Sequence, residues 1–294
     1  ESDGSTIGGG SDNLVIDSST VGTIGGGRKN TLNNTDSSTI GGGTNNSVLA
    51  NSDASTIGGG SDNTVQTNSL VSTIGGGWTN VVTNTDSATI GGGAMNTVLD
   101  ESDASTISGG MNNTITTTAV ASAIGGGRGN TVTTTTLYGT ISGGEQNTIN
   151  NTDSSTIGGG SKNTIIDESD ASTIGGGMDN TITTSGVAST IGGGRSNTIT
   201  TTSLYGTIGG GEQNTINNTD SSTIGGGSKN TIIGNAHGST IGGGLNNIIN
   251  TNASASTIGG GHTNSIASAG FSSTISGGNS NSVGANGTYA TIGG

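Results

Sequence analysis

The chain contains no cysteine and no proline, and among 294 residues it has one Trp, one Phe and three Tyr. Without cysteine there is neither a disulfide framework nor a thiolate metal site, and cysteine usage says nothing about the redox compartment. Hydrophobic residues other than glycine make up 26%, below the roughly 40% of an ordinary soluble domain once glycine is left out of the count. A conventional core cannot be built from that composition. No apolar run approaches the ~18–20 residues of a membrane span. Six basic residues stand against nineteen acidic ones, for a net charge of -13. That balance excludes the basic groove a nucleic acid needs. The two histidines, His237 and His262, sit in no repeated motif, so no Ser/His/Asp arrangement stands out. The chain reads as a non-enzyme.

What the chain has in abundance is glycine, 61 residues of it, and a strict period. The unit reads S-T-I-G-G-G-x-x-N-T-[IV], followed by an arc of six or seven variable residues. Anchor isoleucines recur from Ile7, Ile24 and Ile40 to Ile275 and Ile292, at a spacing of 17 with an occasional 16. Eight residues after each anchor of a complete coil comes a second aliphatic, such as Val15, Leu32, Val48 and Ile115. Short alternating runs rich in β-branched residues point to strands, and Gly-Gly-Gly between them to a turn in which φ > 0 is tolerated. One coil cannot bury two aliphatics, but stacked coils can, at about 4.8 Å per coil.

The expected fold is therefore all-β, a parallel β-solenoid (β-roll or β-helix) of seventeen coils of 16–17 residues. At that rise the stack would be about 80 Å long. Small residues two before each anchor (Ser55, Ala88, Gly139) should fill the space between the aliphatic ladders. Glu145 to Ile166 recurs identically at Glu212 to Ile233, a four-coil super-repeat of 67 residues. Residues 1-294 read as one continuous repeat domain. The start in mid-repeat and the stop at Thr291-Ile292-Gly293-Gly294 read as a segment of a longer array, in which the stack continues into further coils or into a second copy.

Six residues after each anchor stands an asparagine: Asn13, Asn30, Asn46, Asn63, Asn80, Asn96, Asn113, Asn130, Asn147, Asn163, Asn180, Asn197, Asn214, Asn230, Asn247, Asn264 and Asn281. Stacked in register, their amides should form a hydrogen-bonded ladder that caps the turns. The charges Arg128, Glu145, Lys162, Asp179, Arg195, Glu212 and Lys229 alternate in sign along the turn edge, which should favour one register. Acidic clusters at Asp100, Glu101, Asp103 and at Asp167, Glu168, Asp170 offer oxygen ligands that calcium would take. Solvation of the surface is the plainer reading, with no cofactor. Sequons at Asn33, Asn150 and Asn217 recur on one arc and would carry glycans in a glycosylating source. Threonine precedes the anchor in seventeen of eighteen cases, and Thr-x-Thr pairs occur at Thr114/Thr116, Thr131/Thr133, Thr181/Thr183 and Thr198/Thr200. Outward rows of this kind resemble those of hyperactive antifreeze proteins, a resemblance that makes ice binding the alternative function.

Ser-Thr-Ile-Gly-Gly-Gly-x-x-Asn-Thr, as in Ser55 to Thr64 or Ser189 to Thr198, resembles the glycine-rich head repeats of YadA-like trimeric autotransporter adhesins and related bacterial surface and phage fibre proteins. The resemblance implies a β-roll, side-by-side association of three chains, and binding to surfaces or glycans outside the cell. The sequence thus leads to an extracellular or cell-surface structural or adhesive fibre element. It would self-associate end to end or side by side as a homo-oligomer, with no nucleic-acid partner and no membrane span.

Overall fold

The computed structural model describes residues 3–294, which contain 35 short β-strands and no helix. Two compact units divide the chain, Glu1–Gln146 and Asn147–Gly294. Each is a parallel β-solenoid. In the first, anchor strands from Thr6–Ile7 to Thr140–Ile141 form one parallel sheet, and strands from Leu14–Ile16 to Thr131–Thr133 form the other. In the second unit the sheets run from Thr156–Ile157 to Thr291–Ile292 and from Thr148–Asn150 to Ser282–Val283. Register pairs each strand residue with the one at the same phase of the next coil: Ile40 pairs with Ile57, Val48 with Val65, and Thr173 with Thr190.

The pairing explains the period. Each anchor from Ile24 to Ile275 is fully buried, as is each second aliphatic from Leu32 to Ile266. Two aliphatic ladders therefore face each other across every coil. The residue two before the anchor is buried between them, as the sequence suggested, and a further small-residue ladder lies five before the anchor, at Ser52, Ser69, Thr85 and Ser102 and again at Ser169 and Ser203. The interior is as much hydroxyl and carboxamide as hydrocarbon. It is satisfied by bonds between coils: Ser55 Oγ donates to the Ser69 carbonyl (2.8 Å) and accepts the Ser72 N–H (3.0 Å). In the second unit Ser172 does the same with Gly186 (2.8 Å) and Ser189 (3.1 Å).

Most backbone N–H groups point to the following coil, as from Thr56 to the Ser72 carbonyl and from Ser61 to the Gly77 carbonyl, both at 2.9 Å. Three corners reverse this direction. The second variable residue of the turn (Lys29, Asp62, Asp179), the residue six before the anchor (Thr118, Thr202) and the residue three before it (Val71, Ala188) all adopt φ of about +50° to +60°. Their N–H groups donate backward: Asp62 to Thr44 (3.0 Å), Thr118 to Asp100 (2.8 Å) and Val71 to Asp53 (2.9 Å). Sequence reasoning assigned φ > 0 to the glycines alone. Val, Tyr, Ala and Thr occupy these left-handed corners because each corner gains an inter-coil hydrogen bond that a right-handed conformation would not aim correctly. An intrinsic cost of about 1–2 kcal/mol per such residue is borne by the stack.

The three glycines of the turn differ in what holds them. A Cβ on Gly60, at φ +87°, would lie 2.2 Å from the Gly77 carbonyl oxygen of the next coil, whereas one on Gly59 would meet nothing within 4 Å. Replacing Gly60 with Ala should destabilise the chain by at least about 2 kcal/mol, from backbone strain plus clash. Replacing Gly59 with Ala should stay within about 0.5 kcal/mol. Thermal or denaturant melts of the two variants side by side check the distinction; equal losses would contradict it.

Candidate functional site

The asparagine ladder is buried from Asn30 to Asn264 and does more than stack amide on amide. Asn63 Nδ2 donates to the Gly59 carbonyl of its own turn (3.0 Å) and to the Gly77 carbonyl of the next coil (2.9 Å). Its Oδ1 accepts both the backbone N–H (3.0 Å) and the side-chain amide (3.1 Å) of Asn80. The pattern repeats in the second unit, where Asn180 bonds Gly176, Gly194 and Asn163 at 3.0 Å. One carboxamide thus closes the Gly-Gly-Gly turn and ties it to both neighbouring coils. Only Asn carries a donor and an acceptor at this reach; Asp would bring a buried charge and lose the donor.

A second polar column was not read from the sequence. Four residues before the anchor, an aspartate accepts the backbone N–H of the equivalent residue one coil earlier. Asp36 Oδ1 takes Thr20 N–H (3.0 Å), Asp86 takes Leu70 (2.9 Å), Asp103 takes Asp86 (2.7 Å) and Asp170 takes Asp153 (2.8 Å). At His237 the ring Nδ1 substitutes, accepting the N–H of Asp220 at 2.9 Å and lying 3.6 Å from its carboxylate. The recurrence of Asp at this phase was the available signal.

These roles divide the acidic clusters. Asp103 and Asp170 cap backbone, while Asp100 and Asp167 accept hydroxyl bonds from Thr116 (3.2 Å) and Thr183 (3.1 Å). Asp100, Glu101, Asp167 and Glu168 all sit at left-handed corners. Among the described residues no three acidic or histidine side chains converge into a set that could hold a metal ion. The Thr116 and Thr183 hydroxyls of the Thr-x-Thr pairs are committed to those aspartates. Sequon residues Asn33, Asn150 and Asn217 end second strands and are half-buried, whereas their threonines Thr35, Thr152 and Thr219 are buried in the core ladder.

The charged turn edge resolves into two columns instead of one. Arg128, Glu145, Arg195 and Glu212 occupy the first variable position, where residues bridge from coil to coil. Lys162, Asp179 and Lys229 occupy the second, left-handed position. Among the described residues, salt bridges between basic and acidic side chains therefore form at Arg128–Glu145 and Arg195–Glu212, each 3.6 Å and well exposed. Each contributes about 0–1 kcal/mol.

The 16-residue coils also carry a signal that sequence reasoning passed over. Each holds Asn-Thr-Asp-Ser at its shortened corner: residues 34–37, 84–87, 151–154 and 218–221. The long coil after Ile90 turns through two left-handed residues, Asp100 and Glu101, whereas the short coil turns through Asn84 alone and the long coil before it through Asn68 alone. Loss of one residue draws the arc inward. Over the coil from Ile74 to Ile90 this leaves a groove of about 300 Å³, with Asn84 and Asp86 at its middle and Thr85 beneath. Asn51, Asn68 and Leu70 line one side, Glu101 and Asp103 the other.

Compared with models of known protein families and with curated proteins, the chain matches none.

Two predictions follow from the ladders. Replacing Asn63 with Ala removes the acceptor of the buried Asn80 N–H and the donor to two glycine carbonyls. A loss of about 1–3 kcal/mol is expected, read as a lower melting temperature; an unchanged melt would refute the capping role. Thr20 lowers the Asp36 pKa below its ordinary 3.8, first through its hydroxyl and then through its backbone N–H. A depressed folded-state pKa gives stability that is present above 3.8 and lost as pH falls through the lower value. The melting temperature of Asp36→Ala should lie below that of the native chain at about pH 6, with the gap narrowing as the pH falls below 3.8. A gap independent of pH would separate the hydrogen bond from its charge.

Proposed function

We propose that the chain is a non-catalytic structural or adhesive element of an extracellular fibre, a repetitive scaffold that associates with copies of itself. The supporting observation is that, in both units, the buried Asn and Ser ladders bond each coil to the next, so the side chains repeated most faithfully serve stacking. The resemblance of the Gly-Gly-Gly-x-x-Asn turns to YadA-like heads and fibre repeats favours the same reading. No cofactor enters it. Light scattering and electron microscopy of the native material test it: filaments or oligomers are expected, and a persistent monomer of 28.0 kDa without filaments would overturn self-association.

Ice binding is the second reading. It is favoured by an in-register file of threonines in the second unit, from Thr156 paired with Thr173 to Thr274 paired with Thr291. Thermal hysteresis and faceted ice crystals are its readout, and their absence removes it.

A further inference from the structure

We propose that the groove over the short coil from Ile74 to Ile90 binds a neutral saccharide. The proposal rests on the adhesive half of the function above and names its ligand class, whereas self-association is measured separately and stands or falls without it.

The groove is a product of coil length. Missing one residue, the arc at Asn84-Thr85-Asp86 lies between longer arcs on both sides, and the gap of about 300 Å³ falls at the lower end of small-ligand pockets, about 300–1,000 Å³. Its polar atoms are half used by the fold. Asp86 Oδ1 holds the Leu70 N–H and Asp103 Oδ1 holds the Asp86 N–H. Among the described residues no protein group hydrogen-bonds the second oxygen of either carboxylate, the Glu101 carboxylate or the Asn84 amide, and Asn68 uses only its oxygen, to accept from Asn51 at 3.2 Å. Free acceptors on three carboxylates therefore stand beside free amide donors on Asn68 and Asn84.

Such a lining suits a ligand that both donates and accepts along one edge and carries no negative charge, as the vicinal hydroxyls of a neutral sugar do. Carboxylates at this density repel uronic and sialic acids. Leu70, 40% exposed at the groove wall, supplies apolar surface for the C–H face of a pyranose ring. Nothing in the stack requires leucine there: the same column holds Asp53 and Asp86 in the coils on either side, and Asp53 uses its carboxylate to accept a backbone N–H at 2.8 Å.

The test titrates the full chain calorimetrically with maltotriose, cellotriose and triacetylchitotriose, and separately with trigalacturonic acid and with calcium chloride alone. One variant, Leu70→Asp, puts into the groove wall the residue its column carries elsewhere. A second inserts one Thr between Thr83 and Asn84, converting the short coil to the length of its neighbours and closing the groove. At least one neutral trisaccharide should bind the native chain, and each variant should lose one equivalent of binding or weaken it at least about tenfold, while Leu70→Asp keeps the native melting temperature. If the insertion impairs folding, Leu70→Asp decides alone. No binding of any neutral trisaccharide at about 10 mM, unchanged stoichiometry and affinity in Leu70→Asp, or binding at this groove of trigalacturonate or calcium instead, would each overturn the proposal.

Discussion

The structure depends on one constraint: each residue must stack on the residue at the same phase of the adjacent coil while its backbone hydrogen-bonds to that coil. With Ile on Ile, Asn on Asn and Thr on Thr, a side chain is selected by how well it tolerates a copy of itself about 4.8 Å away. Asparagine meets that condition inside because its amide donates to one neighbour and accepts from the other. Serine meets it with a single hydroxyl. The absence of proline has the same origin, since a missing N–H would cut a bond to the neighbouring coil.

A core this thin cannot rely on hydrocarbon. Two aliphatics per coil are flanked by Asn and by Ser, Thr or Ala, and buried polar groups cost free energy unless their partners are in place. Here they are in place by translation: once one coil satisfies its neighbour, so does the next. Thr219, whose buried hydroxyl has no hydrogen-bond partner among the described residues, shows the limit of this economy. Coil-by-coil repetition also makes stability a sum of nearest-neighbour interfaces, so a damaged coil is felt mainly by the two beside it.

Much of this was legible in the sequence. The anchors, the second aliphatics, the Asn ladder and the small residues two before the anchor each recur with one chemistry at one phase, and each holds the place expected of it. Less uniform columns were missed. Five before the anchor, Ser, Thr, Ala and Gly alternate; four before it, Asp gives way to Leu, Val and His. Periodicity of residue type is blurred in such columns although periodicity of position is intact. The left-handed corners were invisible for a different reason. Val71 and Tyr138 at φ +56° and +59° contradict their own backbone preferences, and only the hydrogen bonds they make to the preceding coil explain them. Charge alternation was read along the chain without asking which of two adjacent positions each charge held, and that difference of one residue separates Glu145 from the column of Lys162.

The hydrogen bonds of this fold also have a direction. They run between coils, so a pulling force applied along the stacking direction meets them one coil at a time and not all together. Each coil that peels away would release 16 or 17 residues of slack, roughly 50–60 Å of extended chain, and leave the remaining stack intact. Under load, such a chain lengthens in steps and dissipates work at each one, acting as a shock absorber whose increment is set by the repeat itself.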